Sequence, residues 1–133
     1  MNDNEIKLTE ADPDELAKAA VGILDSKKAG GITVLKVTNQ TVIADYFIIC
    51  TGNSNTQIKS LSDELEFKLK ERGIEPKNIE GFREASWIVM DYNSVIVHIF
   101  NRELREFYNL EKLWNDAEKI DISGMLPGEN DEE

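Results

Sequence analysis

The stretch "SWIVMDYNSVIVHIF", Ser86 to Phe100, carries His98, the chain's single histidine, between a valine and an isoleucine. Beside a carboxylate, such an imidazole can perform general acid–base chemistry. That chemistry also calls for a nucleophile or a bound substrate, and no serine or cysteine is clearly presented as a nucleophile. Cys50, the one cysteine, lies in an apolar run that reads as buried strand, where a thiol is inert. A single cysteine also forbids an internal disulfide and leaves no basis for a cysteine-held zinc.

Two further clusters have chemical potential. "TGNS", Thr51 to Ser54, closes a strand and opens a helix, and helix N-termini attract anions. The arrangement loosely matches the Gly-Ser element of nucleotidyltransferases. Those enzymes also hold metal with paired carboxylates on a neighbouring strand, and no Asp-x-Asp pair falls in a strand here. Neither a Walker A loop nor a GxGxxG fingerprint is present. Arg102 and Arg105 form a basic pair in an acidic chain. They suit a carboxylate or phosphate on a partner, and they suit still better Glu103, Glu106 or the acidic tail. The reading therefore assigns no catalytic residue, no metal and no cofactor, with a nucleotidyltransferase-like enzyme kept as the rival class.

The chain that must position these groups has 133 residues, 41% hydrophobic and 31% charged, with a net charge of -11. That length and mix suit one folded domain. The expected division is a domain over residues 1–117 and an acidic, disordered tail over residues 118–133. The charge disfavours contact with bare phosphate backbone and fits a basic protein partner. No apolar run approaches the roughly 18 residues of a membrane span. The acidic start "MNDNEIKLTEADPDE" lacks the features of a signal or transit peptide. A soluble, cytoplasmic protein is expected.

Asp12-Pro13-Asp14-Glu15 predicts a capped helix start, followed by Leu16, Ala20, Ile23 and Leu24 at helical spacing, with Gly30-Gly31 as the stop. Ile32–Thr38 and Asp45–Gly52 read as strands joined by the short "NQTVIA" connection. The second has a near-continuous apolar run and so belongs in the middle of a sheet. "SNTQ" caps a second helix with Ile58, Leu61, Leu65 and Leu69 on its inner stripe and exposed pairs Glu64–Lys68 and Glu66–Lys70. Phe67 falls off that stripe. After a loop around Pro76 come the hairpin and a helix from Glu103 to Trp114, in which Leu110, Leu113 and Trp114 have core spacing. This order predicts an α/β (α+β) fold with helices packed on a mixed sheet.

A two-residue turn at Asn93-Ser94 pairs Tyr92 with Val95, Asp91 with Ile96 and Val89 with His98. Ile88, Met90, Tyr92, Val95, Val97 and Ile99 then share one apolar face. Trp87, Val89, Asp91, Ile96, His98 and Phe100 share the other. The second face has the mixture of a protein-binding patch: an aromatic anchor, apolar neighbours and a few polar groups. It is equally the mixture of a second core layer in which His98 and Asp91 bond to each other.

"ADYFIICTGNSNTQIKSL", the "EG" at Glu80-Gly81, "SWIVMDY", "VIVHIF" and "REFYNLEKLW" occur in an order and spacing that resembles the ribosomal silencing factor family, also called Iojap-like proteins. The resemblance runs from Leu16 to Ala117. It departs at Asn93, where the family usually has glycine. It implies a nucleotidyltransferase-like fold without the catalytic carboxylates, and a translational repressor rather than an enzyme. Such a repressor binds the large ribosomal subunit through its protein fourteen and blocks joining of the small subunit when nutrients are scarce. It also implies a homodimer. Carried over by position, Trp87, Asp91, Tyr92 and His98 of the hairpin and Arg105, Tyr108 and Glu111 of "REFYNLE" become partner-binding residues. Trp87 is the expected anchor, and Asp91 and Glu111 are the acids that face basic groups. The face count places Tyr92 on the core side, with only its phenol near the rim. A non-ribosomal adaptor is the remaining alternative.

Overall fold

The computed structural model describes residues 12–126. The chain runs α1 (Pro13–Ser26), β1 (Gly30–Lys36), β2 (Tyr46–Thr51), α2 (Asn55–Glu71), β3 (Asn78–Glu80), β4 (Trp87–Asp91), β5 (Val95–Phe100), α3 (Arg102–Tyr108), α4 (Leu110–Leu113) and β6 (Glu118–Ile120). A 3-10 turn, Ile122–Gly124, follows. The six strands form one sheet in the order β3-β4-β5-β2-β1-β6. Only β2 and β5 are parallel; the other neighbours are antiparallel. The α/β class with a mixed sheet is as the sequence predicts.

Strand β2 sits at the centre of the sheet, and Tyr46 to Cys50 are buried without a break. Alternation sends Tyr46, Ile48 and Cys50 to one face and Phe47 and Ile49 to the other. The first face packs under α1 and α2 through Leu16, Ala20, Leu24, Ile58, Leu61, Leu65 and Leu69. The second is covered by Leu104, Leu110 and Trp114 from α3, α4 and the turn after them. Both long helices begin as their sequences require. Asp12 accepts the Glu15 N–H at 3.1 Å, and Ser54 accepts that of Gln57 at 3.0 Å. The Tyr46 hydroxyl, donating to Asp14, ties α1 to β2.

Four features depart from expectation. The Gly30-Gly31 pair opens β1 instead of closing α1, which stops at Ser26 with Lys28 taking φ 65°. "NIE" becomes a short edge strand, although its three residues are too few to show a period. The expected Glu103–Trp114 helix is two helices, broken at Asn109, whose φ of 47° and ψ of 61° are left-handed. Asparagine tolerates that conformation, and its side chain then caps α4 by accepting from Lys112 N–H at 3.3 Å. The tail expected from residue 118 starts instead as β6, paired with β1. Ile120, Ile122, Met125 and Leu126 pack against the α1–α2 core, which gives the segment the apolar anchorage that its acidic composition hides. Residues 127–133 of that tail lie outside the described residues.

The hairpin has the predicted register, with Trp87 opposite Phe100, Val89 opposite His98 and Asp91 opposite Ile96. Asn93 has φ 72° and donates its backbone N–H to Asp91 Oδ1 at 2.8 Å. A residue that tolerates positive φ is what this turn needs, so asparagine can stand in place of glycine. Asn93→Gly should leave stability within about 0.5 kcal/mol of the natural chain. Asn93→Val, which forces a β-branched residue into the left-handed region, should cost about 1–2 kcal/mol or more. Urea denaturation midpoints of the three chains check this.

Candidate functional site

Strand β4 and its neighbours carry two different faces. Ile88, Met90, Val95, Val97 and Ile99 are fully buried against the long helices. Tyr92 joins them at 4% exposure, and among the described residues its hydroxyl has no hydrogen-bond partner. Burial, with help from the charge of Glu66, raises the pKa of that phenol. The geometry thus separates Tyr92 from the other residues named with it.

On the opposite face Trp87, Val89, Asp91 and Ile96 are half-buried, and His98 and Phe100 are buried. The face is therefore neither a plain solvent surface nor a closed core. Helices α3 and α4 cover one end of it. Among the described residues no helix covers the end toward β3, and Asn78 and Glu80 stand beside Asp91 and Val89 in register. Glu80 thereby becomes a second carboxylate on the sheet face. Its "EG" motif was visible in the sequence, but the strand that aims it was not.

His98 is not paired with Asp91. It accepts the Trp87 indole N–H on Nδ1 at 3.2 Å, stacks at 6.1 Å on Phe100 and meets the edge of Phe47 at 5.4 Å. A ring nitrogen that accepts must be unprotonated. Burial pushes the imidazole pKa down to about 4. An imidazole with so low a pKa, whose Nδ1 already holds an indole, is a poor general base near neutrality. Its role in this geometry is to fix the plane of Trp87. Cys50 is similarly withdrawn from chemistry, with burial pushing its thiol up to about 12 against a smaller lowering by Arg105.

Trp87 itself meets two further rings. It stacks on Phe100 at 4.8 Å, and Tyr108 from α3 lies tilted against it at 4.7 Å. The freely exposed anchors lie beyond it. Phe107 is 74% exposed, Leu113 is 71% exposed, and Tyr108 is about half exposed. Together with Lys112 they line a shallow groove of about 520 Å³. Leu113 has core spacing in the sequence, but the break at Asn109 rotates it out to solvent. Leu110 and Trp114 do turn inward, with Trp114 meeting Phe47 edge-on at 5.2 Å.

Arg105 and Glu111 meet each other, and neither Glu103 nor Glu106 is the guanidinium's partner. Arg105 Nη2 lies 2.5 Å from Glu111 Oε2 and donates to Thr33 Oγ1 at 3.1 Å, while Nη1 donates to Thr51 Oγ1 at 2.9 Å. One side chain, 16% exposed, therefore ties α3 to α4, β1 and β2. Because α3 and α4 contain no fully buried residue, this polar latch carries much of their attachment. Among the described residues no group of three or more His, Cys, Asp or Glu is placed to hold a metal ion. No helix among them is long and apolar enough to cross a membrane.

The resulting surface is continuous. Glu80, Asp91, Val89 and Ile96 on the sheet lead through Trp87 to Tyr108, Phe107 and Leu113. Such a run of aromatic and apolar groups rimmed by carboxylates has the composition of a protein interface. Comparisons with known proteins give the chain a family. A family profile described as "Ribosomal silencing factor during starvation" matches residues 10–133. The chain is 41% identical over 112 residues to the ribosomal silencing factor RsfS of Halalkalibacterium halodurans, covering 84% of this chain and 96% of that one. It is also 41% identical to RsfS of Bacillus subtilis over 80% of this chain and 91% of that one. A maize chloroplastic protein named Iojap is 36% identical over 80% of this chain and 45% of its own length. A crystal structure from Chromobacterium violaceum superposes with a TM-score of 0.76 at 32% identity, covering 78% of this chain and 87% of that one. One from Bacillus halodurans gives 0.73 at 38% identity, covering 81% and 98%.

Two measurements test this architecture. His98 is held neutral in the fold and has an ordinary pKa when unfolded. Its contribution is therefore full above pH 6.5 and is lost as pH falls toward 4, worth about 3 kcal/mol at the low end. In urea titrations from pH 7 to 4, His98→Phe should show a shallower decline than the natural chain. Arg105→Ala should cost about 2–4 kcal/mol by stranding Glu111 and freeing α3, with Arg105→Lys intermediate. Equal stability of Arg105→Ala and the natural chain would contradict the latch.

Proposed function

This chain belongs to the ribosomal silencing factor family, and from that premise we propose that it is a non-catalytic translational repressor that binds the large ribosomal subunit. Its partner there is the basic ribosomal protein fourteen, and its bulk keeps the small subunit from joining. The observation that carries this reading is the single surface that runs from Glu80 and Asp91 through the Trp87–Tyr108 contact to Phe107 and Leu113. Carboxylates on a chain of net charge -11 steer it toward a basic protein, and desolvated aromatic groups supply the affinity. Steric occlusion requires no reacting atoms, consistent with the neutral, buried His98 and the withdrawn Cys50. Within this reading Arg105, Glu111 and His98 support the surface, while Trp87 is reached only at its edge.

Purified protein should co-sediment with large subunits and reduce their association with small subunits in light scattering. Tyr108→Ala or Phe107→Ala should weaken binding to isolated protein fourteen by about 2 kcal/mol, a roughly thirtyfold change. Trp87→Ala should weaken it similarly, with an accompanying loss of stability that the exposed substitutions lack. Absence of binding to both large subunits and protein fourteen would refute the proposal. Capture of an unrelated protein in its place would favour an adaptor, and saturable Mg-ATP binding with turnover would favour an enzyme.

A further inference from the structure

The two parallel strands create a second feature, next to the aromatic groove, with which it shares Glu106 and Asn109. Strand β2 hands the chain to α2 on one face of the sheet, and its neighbour β5 hands it to α3 on the opposite face. Adjacent parallel strands whose connections depart to opposite faces leave a crevice beyond their carboxyl ends, the recurrent ligand position of open α/β sheets. Here a cleft of about 560 Å³ lies at that place. Thr51, Asn53, the Gly30-Gly31 backbone, Arg102 and Arg105 line it, together with Glu106, Asn109 and Glu111. Its volume falls in the range that holds small metabolites.

The donors of the cleft define what it suits. Two of the chain's four arginines open into it. Arg105 is largely committed to Thr33, Thr51 and Glu111. Arg102 is exposed and has no ion pair or hydrogen bond among the described residues. An unengaged guanidinium is a fork for a phosphate or carboxylate, and phosphate fills it bidentately. Asn53, from the turn before α2, also lines the cleft, with its backbone N–H held by Gln57 Oε1 at 2.5 Å. Gly31, at φ 51°, carries no side chain where one would crowd the Arg105 guanidinium, since a Cβ there would lie 3.0 Å from Nη1. The carboxylates are accounted for differently. Glu111 is spent on Arg105, and Glu106 remains as an acceptor for hydroxyl groups. A phosphate next to a hydroxylated body matches that pattern of donors and acceptor.

We propose that this cleft binds a small phosphate-bearing metabolite, with Arg102 as the principal phosphate ligand and Glu106 accepting from the sugar hydroxyls. Nucleoside and sugar phosphates share that chemistry. The test is calorimetric titration of the full chain, at low ionic strength and without metal, with inorganic phosphate, adenosine 5′-monophosphate and glucose 6-phosphate. Saturable binding of one or both organic phosphates is expected, tighter than that of inorganic phosphate. Preference for the nucleotide assigns a base contact, and equal binding assigns the phosphate and hydroxyls alone. Arg102→Ala should weaken binding at least tenfold with an unchanged far-ultraviolet spectrum, Arg102→Lys should recover part of it, and Lys59→Ala, outside the cleft, should have no effect. Absence of saturable binding by all three probes overturns the proposal, as does binding that Arg102→Ala leaves intact. The assay contains no ribosome, so its failure is separate from any failure of the repressor reading.

Discussion

A strand that is apolar on both faces must be covered twice, and β2 imposes that condition on everything around it. Tyr46, Ile48 and Cys50 require one layer, which α1 and α2 supply with a long stripe of leucine, isoleucine, valine and alanine. Phe47 and Ile49 require a second, and among the described residues two short helices are left to provide it. These cover part of the sheet and leave the rest half-exposed. The half-exposed face is the consequence of that shortfall: apolar enough to belong inside, and open because, among the described residues, the second layer ends before reaching β3.

The shortness of that layer also changes how it is held. A long helix is fixed by burying a whole stripe of side chains. Helices of seven and four residues cannot do this, and α3 and α4 are fixed by a few stronger, directional contacts. The Arg105 fork, the Trp87–Tyr108 contact and the inward turn of Trp114 replace area with geometry. The stretch "REFYNLE" accordingly mixes residues that attach the helix, Arg105 and Glu111, with exposed ones, Phe107 and Tyr108, on its outer side.

Much of this was legible in the sequence. The double-faced burial of β2, both helix caps and the register of the hairpin follow from apolar pattern and turn chemistry, and the structure has each of them. The misses have physical causes. A three-residue strand such as Asn78–Glu80 has no measurable period, so Glu80 could be quoted but not aimed. Asn109 breaks a helix that its neighbours' spacing supports, and with it Leu113 moves from expected core to exposed surface. Sequence proximity points the guanidinium to Glu103, Glu106 or acids of the tail, whereas the left-handed break brings Glu111 back to Arg105. The expectation of Trp87 as an anchor rests on its strand face and on its place in the hairpin motif. That pattern cannot show a tyrosine from a later helix lying over it.

The strand β6 has a consequence for how this chain coexists with others. Its inner neighbour β1 would otherwise present the backbone groups of Val34, Leu35 and Lys36 as an open sheet edge, a template onto which any extended polypeptide can add. Three residues, two of them charged, are enough to occupy that edge, and they are too few to offer a long new one. The last described segment thus works as a guard against unwanted pairing. A chain shortened at Ala117 would lose that guard together with the apolar anchorage of Ile120, Ile122, Met125 and Leu126.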